Sequence, residues 1–515
     1  MMSEMRYKLH PLSAFLNFIK ALKELIVPFI VIFGVNLFRD GGVSGMFNQG
    51  WQGMIPFLMG IVVVLFMLVA GIIKWKRFVY WFEDGELRIE YGLFVKKKRY
   101  IPFDRIQSLN YTEGIFHRLF GLVKVKVETA GSGKVGESEA VLTAINREDA
   151  DRIASKMEEA KRGFHHHALN DAEAETAPVE IPEKQEARVF YRMTLKELMI
   201  LATTSSGIGV VLSAVAVFLS QFSDLIPYEA LYEEVMQFLR FGYLIAALVI
   251  FVVLAIAWVI SVFLTIFANY QFTIQADEDN IYITRGLLEK KKISVPFKRV
   301  QGIKISQNPL REWFGYATVT VESAGGSLGD KEEKIRLFPL AKKSVMLPVL
   351  SELFPETEWE PKLTGAPKRS VRFFYRLDFF WMAPFIAAMS YFFYPYGLVS
   401  LLLVPVVMLL GIWQHRTVGY ALTGRQLTMQ FRGFSKHSFY LMKRRVQAID
   451  ITQSYFQRRK QLASIEATIK SGMMGASARI NHMDTGDAER IMAWYEPSSR
   501  PLPEDEKSQP EYFSG

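Results

Sequence analysis

Apolar positions along the chain follow two regimes. Six nearly unbroken apolar stretches are separated by long segments in which apolar and polar residues alternate at short period. The stretches come in pairs: about 21–38 and 54–73, 198–220 and 243–267, 379–394 and 397–413, the last two joined at Tyr394-Pro395-Tyr396. Each is long enough, or nearly so, to cross a bilayer, which takes roughly 20 apolar residues of helix. No polar cleavage region follows the first stretch, so it reads as an anchor and not as a removable leader. The alternating segments predict short strands divided by turns such as Asp84-Gly85, Thr423-Gly424 and Arg432-Gly433. Each segment closes in a predicted helix, at about 146–161, 340–354 and 484–495.

The pairs and the alternating segments repeat together. A Tyr-basic-apolar element precedes each pair: Tyr7-Lys8-Leu9, Tyr191-Arg192-Met193 and Tyr375-Arg376-Leu377, the tyrosines 184 residues apart both times. After the first pair, Gly92 precedes Lys96-Lys97-Lys98 and then Ile101-Pro102-Phe103-Asp104-Arg105-Ile106-Gln107. After the second, Gly286 precedes Lys290-Lys291-Lys292 and then Val295-Pro296-Phe297-Lys298-Arg299-Val300-Gln301. Both glycines lie 13 residues before the arginine, and the arginine lies 16 before Gly121 or Gly315, in Leu119-Phe120-Gly121 and Trp313-Phe314-Gly315. Val127-Glu128-Thr129-Ala130-Gly131 matches Val321-Glu322-Ser323-Ala324-Gly325. The third copy is degenerate: Gly433, then Leu441-Met442-Lys443-Arg444-Arg445-Val446-Gln447, with Gln461 in place of the second glycine. Six or seven strands and a helix in each copy predict a small barrel or a pair of packed sheets.

Charge orients the membrane segments. The short loops 39–53 and 221–242 hold one basic residue each, Arg39 and Arg240, whereas the other flanks carry Lys20, Lys23, Lys74, Lys76, Arg77, Arg192, Lys196, Arg376 and Arg416. By the positive-inside rule both termini and all long segments are cytoplasmic. Over the 515 residues the formal charge is +9, too small an excess for a nucleic-acid binder of this size and suited to a surface lying against anionic lipid. Half of the residues are hydrophobic, which excludes a disordered chain, and the absence of cysteine excludes disulfides, thiolate metal sites and Cys nucleophiles.

A membrane pair followed by Pro-Phe-x-Arg-Ile/Val-Gln and a small β-barrel resembles the bacterial pleckstrin-homology-like (bPH2) domain of the YdbS/YdbT-type membrane proteins, and the three-copy layout resembles the longer kind of member. The resemblance implies an α+β multi-domain membrane protein: three transmembrane helical hairpins, each followed by a PH-like β-barrel with a C-terminal capping helix. It also implies the plasma membrane of a Gram-positive bacterium and a partner that is a shorter PH-like membrane protein of the same family. Resistance to membrane-active antimicrobial compounds is the most specific role it suggests. On this reading the juxtamembrane segment and first hairpin occupy 1–77, the PH-like domains 78–162, 268–356 and 415–496, an acidic linker 163–189, and the second hairpin 190–267. A linker and the third hairpin occupy 357–414, and a disordered tail 497–515.

The candidate binding residues are the repeated polar ones. Strand alternation from Arg105 places Arg105, Gln107, Leu109 and Tyr111 on one face, matched by Arg299, Gln301, Ile303 and Ile305. Two roles are open to them: satisfying carbonyls at a barrel rim, or binding an anion or peptide carboxylate. Lys96, Lys97, Lys98, Lys290, Lys291 and Lys292 either protect a sheet edge from unwanted pairing or contact anionic headgroups. No catalytic, cofactor or metal site is expected. His165-His166-His167 lies in a flexible acidic stretch, and Gly131-Ser132-Gly133-Lys134 has Glu128 where a phosphate loop needs glycine. The cluster Thr203–Gly209 reads as close helix packing ahead of a permeation path. These features point to a non-enzymatic membrane scaffold that binds lipid headgroups or a membrane partner, with an accessory subunit of an export or transport complex as the alternative.

Overall fold

A computed structural model describes residues 6–29, 51–129, 140–170, 187–205, 211–213, 243–324, 334–471 and 475–496. Contacts divide the chain into two compact units, Met1–Phe297 and Lys298–Gly515, so the boundary falls inside the second repeat.

In the first unit, β1 (Tyr7–Lys8), β2 (Val79–Glu83), β3 (Glu86–Tyr91) and β4 (Lys97–Pro102) form an antiparallel sheet in that order. Asp84 and Gly85 both take positive φ, 51° and 73°, as the tight turn between β2 and β3 requires. The chain continues through β5 (Ile106–Glu113), a short helix α3 (Ile115–Leu119), β6 (Leu122–Thr129), β7 (Ala140–Asn146) and helix α4 (Arg147–Asn170). Tyr80, Leu87, Ile89 and Ile101 from the first sheet pack with Leu109, Val123, Val125 and Leu142 from the second, and Ala150 and Ile153 of α4 close one end. The expected helix is therefore present but longer, running to Asn170 into the predicted linker.

The expected closed barrels do not form. β5, β6 and β7 belong to a seven-stranded sheet of order β7-β6-β5-β11-β10-β9-β8, whose other members come from the second repeat. These are β8 (Arg188–Arg192), β9 (Thr273–Ala276), β10 (Asn280–Arg285) and β11 (Lys290–Pro296). The outer edge of β5, where β4 of its own repeat would have to bond to close a barrel, is taken by β11.

The second unit repeats the device. β12 (Val300–Gln307), β13 (Tyr316–Ser323) and β14 (Ile335–Lys342), the last followed by helix α8 (Lys343–Leu353), pair through β12 with β18 (Lys436–Met442), next to β17 (Gln426–Arg432), β16 (Gly419–Thr423) and β15 (Thr364–Gly365). A final sheet holds β19 (Val446–Thr452), β20 (Leu462–Ile469) and β21 (Ala476–Asp484), closed by helix α12 (Thr485–Tyr495). Tyr420, Leu427, Met429 and Phe439 meet Ile465, Ala467, Ile480 and Ile491 in its core. The third repeat thus keeps every strand, although its motifs are degraded. Gln461 adopts φ 51° where Gly121 and Gly315 have 66° and 71°, so the turn persists without its glycine.

Among the described residues, three segments are long and apolar enough to cross a membrane: Leu58–Arg77 in helix α2 (Trp51–Arg77), Ala247–Asn269 in helix α6 (Tyr243–Asn269), and Tyr396–Thr417, which ends in helix α10 (Leu403–Thr417). Each leads directly into a strand. The preceding helices are α1 (Leu12–Phe29), α5 (Leu195–Thr204) and α9 (Val371–Phe392). Among the described residues they carry shorter apolar runs, Leu12–Leu22 and Phe379–Phe392. The rest of the predicted stretch 21–38 and most of 198–220 lie outside the described residues. The paired helices touch closely: a Cβ at Gly411 would lie 2.7 Å from Cβ of Tyr375, and Ser205 Oγ is 3.3 Å from Thr265 Oγ1. In the expected small-residue cluster, Ser205 therefore serves helix packing, while Ser206, Gly207 and Gly209 lie outside the described residues.

Candidate functional site

The predicted arginine–glutamine face is rearranged. Arg105, Arg299 and Arg445 each end a 3-10 turn (Phe103–Arg105, Phe297–Arg299, Lys443–Arg445), and the strand begins one residue later. The pairing register then skips Gln107, Gln301 and Gln447, which sit in bulges. A 3-10 turn followed by a bulge has no period of two, so alternation counted from the arginine fails. Arg299 Nε donates to the Ala324 carbonyl at 3.0 Å, and Gln301 Nε2 donates to the Arg299 carbonyl at 3.0 Å. In the third repeat, an Arg445 terminal nitrogen donates to the Lys298 carbonyl at 2.9 Å. Arg105 is exposed, and Gln107 is half-buried.

The lysine triplets occupy different environments. Lys97 and Lys98 lie on β4, an edge strand, with Lys96 just before it; Glu90 takes Lys96 at 2.6 Å and Lys98 at 3.3 Å. The second triplet is not on an edge. Lys290, Lys291 and Lys292 stand opposite Glu113, Thr112 and Tyr111 of β5, inside the seven-stranded sheet. Lys292 also places its ammonium 5.0 Å from the Tyr282 ring centre.

That junction of strands carries the chemistry. An open cavity of about 530 Å³ is lined by Glu113, Arg118, Arg147, Tyr270, Gly286 and Lys290, among others. Three cations face one carboxylate. Arg118 is fixed by donating to the Leu287 carbonyl at 2.9 Å, and Arg147 stands 3.8 Å from Glu113. Gly286 has φ 108°, and a Cβ there would meet the Glu289 carbonyl oxygen at 2.0 Å, so the wall is backbone by necessity. The β10–β11 turn is clamped to the end of the long apolar helix: Gly286 N–H donates to the Tyr270 carbonyl (2.9 Å) and Leu287 N–H to the Phe267 carbonyl (2.8 Å). A basic cavity thus opens where α6 ends. Its polar groups suit an anion.

At the matching positions of the second junction the charges pair with each other, although one guanidinium nitrogen of Arg432 is buried without a hydrogen-bond partner among the described residues. Glu312 replaces Arg118 and Arg432 replaces Gly286, and one guanidinium nitrogen of Arg432 donates to both carboxylate oxygens of Glu312 at 2.6 and 2.8 Å. The same guanidinium bonds Thr417 Oγ1 at 2.9 Å and stacks 3.9 Å above the Trp413 ring. Nearby, burial and the charges of Lys304, Lys334 and Arg432 push His437 down to about 4, so it accepts or donates as a neutral ring to Ser306 Oγ at 2.9 Å.

Every repeat also exposes large apolar side chains on the short helix that follows its bulged strand. α3 presents Ile115, Phe116 and Leu119. α7 (Pro309–Trp313), capped by Asn308, presents Leu310 and Trp313, the latter 83% exposed. α11 (Tyr455–Arg458), closed by a reciprocal Ser454–Gln457 cap, presents Tyr455 and Phe456. The β3–β4 turn and its counterparts add Phe94, Leu288 and Phe434. Leu119-Phe120 and Trp313-Phe314 are visible in the sequence as landmarks, but their exposure is not. Arg118 recurs at its offset only as Arg458 of the third repeat, with Glu312 in the second, and Arg147 belongs to none of the repeated motifs.

The profile of the family described as "Bacterial PH domain" matches residues 27–161, 214–352 and 377–498, which is most of the chain. The chain belongs to the bacterial PH domain family. A member from Bacillus subtilis (strain 168), the UPF0699 transmembrane protein YdbT, is 35% identical over 503 residues, covering 96% of this chain and 99% of that protein. A shorter one from the same organism, the UPF0699 transmembrane protein YdbS, is 24% identical over 144 residues, 28% of this chain and 82% of its own length. For this bacterial PH domain chain, membrane residence is therefore shared with relatives that are named transmembrane proteins, and the repeats seen in the sequence are three copies of one domain.

Proposed function

We propose that this chain is a non-enzymatic membrane scaffold whose three repeats lie on the cytoplasmic face and take anionic lipid headgroups at the basic cavity of the first junction. The observation that carries the reading is the convergence of Arg118, Arg147 and Lys290 at the end of α6. Exposed aromatic and aliphatic side chains beside the cavity suit the interfacial zone of a bilayer.

Six crossings in three hairpins complete the proposal. Support comes from sheet pairing, since hydrogen-bonded strands cannot straddle a bilayer. β1 pairs with β2, β8 with β9, and β15 with β16, and one apolar pair lies between the members of each. An even number of crossings must separate them. Basic flanks, against tips poor in lysine and arginine, support placing both termini inside. On the protein side, another chain of the same family is the partner we favour, including the shorter relatives, and tolerance of membrane-active antimicrobial compounds is the physiological role, following the family resemblance.

Native mass spectrometry of the gently solubilised chain tests headgroup binding. With a mixture of phosphatidylglycerol and phosphatidylcholine, the chain should retain phosphatidylglycerol selectively, and Arg118→Gln should reduce retention about fivefold, the equivalent of ~1 kcal/mol for one basic residue. Equal retention of both lipids, or no effect of Arg118→Gln together with Arg147→Gln, would overturn the reading.

A further inference from the structure

The chain joins consecutive repeats by one device used twice. Seven residues before the matched arginines stand Lys98, Lys292 and Ser438, and six residues after them stand Tyr111, Ile305 and Ile451. At the first junction Lys292 of β11 opposes Tyr111 of β5. At the second, Ser438 of β18 opposes Ile305 of β12. The register is identical. Among the described residues the device leaves one strand of each kind over: β4 is bonded only to β3, and β19 only to β20.

We propose that copies of the chain join head to tail, β4 of one pairing antiparallel with β19 of the next in this same register. The step goes beyond headgroup binding and does not depend on the cavity. Transferring the register sets Lys98 opposite Ile451, Lys97 opposite Thr452, Arg99 opposite Asp450 and Tyr100 opposite Ile449. Arg99 and Asp450 have opposite charge, and Tyr100 and Ile449 are an aromatic–β-branched pair, the combinations that stabilise neighbouring strands. Ile451 and Tyr100 are both exposed in the single chain. The lysines of β4 do not forbid pairing, because Lys290, Lys291 and Lys292 occupy a strand that is already paired. An open edge with unmatched N–H and C=O groups is a template for another strand, and the strand that fits it by register and charge is carried at the other end of the same sequence. Such a contact is heterologous and generates a closed ring or a row within the membrane plane.

The chain has no cysteine, so introduced thiols report without background. Directly opposed residues of antiparallel strands have Cα atoms about 4.5–5.5 Å apart, within disulfide range. Full-length Arg99→Cys and Asp450→Cys chains, carrying different tags, are produced together and oxidised in membranes. The two tags should appear in one disulfide-linked dimer, at about tenfold the yield from Arg99→Cys with Ile451→Cys, because a one-residue slip turns the second thiol to the opposite face. Lys97→Cys with Thr452→Cys reads the same register without removing the charge pair and should link as well. Equal yield from the slipped pair means random collision and overturns the proposal, as does the absence of dimer in both matched pairs. A doubly substituted chain that links only to itself, or loss of the dimer in favour of a shorter family member added in its place, rejects the second copy as occupant.

Discussion

Gln461 shows how much a single position can conceal. Left-handed backbone costs an ordinary residue about 1–2 kcal/mol relative to glycine, yet the third repeat keeps φ 51° at Gln461. Gln461→Gly should raise the stability of the full chain by about 0.5–1 kcal/mol, the relief being partly offset by the greater freedom of glycine when unfolded. Thermal unfolding in detergent measures this, and a lower melting temperature would contradict it. The glycines themselves were legible, since Gly92, Gly121, Gly286 and Gly315 stood at fixed offsets and all have positive φ. The arginines were legible only in part: bonding to carbonyls was one of the two roles open to them, but the face they were expected to share with the glutamines was not there. Their role depends on a 3-10 turn and a bulge, which leave no periodic trace in side-chain chemistry, and Arg299 finds its carbonyl only through the fold.

At the scale of elements, strand alternation identified the strands and closing helices but not their neighbours. Alternation fixes which face of a strand is buried, and says nothing about which strand lies beside it. The first repeat could therefore be read as a barrel, although β5 bonds to β11 of the next repeat. That junction is locked by polar groups: the Glu128 carboxylate accepts from Ser108 Oγ (2.8 Å) and Asn110 Nδ2 (2.9 Å), and Asn110 Oδ1 accepts from Ser294 N–H of β11 (3.1 Å). Glu128→Ala should cost about 1–3 kcal/mol by removing both acceptors from buried donors, and Glu128→Gln clearly less, since its amide oxygen still accepts. Melting curves of the two variants check the order; equal losses would contradict it and mean that one acceptor oxygen does not suffice, the second oxygen or the charge being essential. Glu128 was visible as part of a repeated motif, whereas its partners Ser108 and Asn110 have no counterpart in the second repeat, where Gly302 and Lys304 stand.

For the whole molecule, the central claim is that all three repeats, with the basic cavity, lie on the cytoplasmic face of the membrane. Sheet pairing calls for an even number of crossings between paired strands, and the basic flanks are the ground for the side we propose. The proposed orientation rests on where lysine and arginine fall in the sequence and not on packing. The cavity was the least legible, because Arg118 and Arg147 come from separate elements that only the folded sheet brings together. The most direct test labels single cysteines in intact cells with a membrane-impermeant maleimide, using the cysteine-free chain as background. Cysteines replacing Ser44 and Ser223 should react from outside, and those replacing Ala174 and Ser508 only after the membrane is permeabilised. Labelling of Ala174→Cys or Ser508→Cys in intact cells would contradict the account, placing repeats on the outer face, away from the anionic leaflet that the cavity is proposed to read.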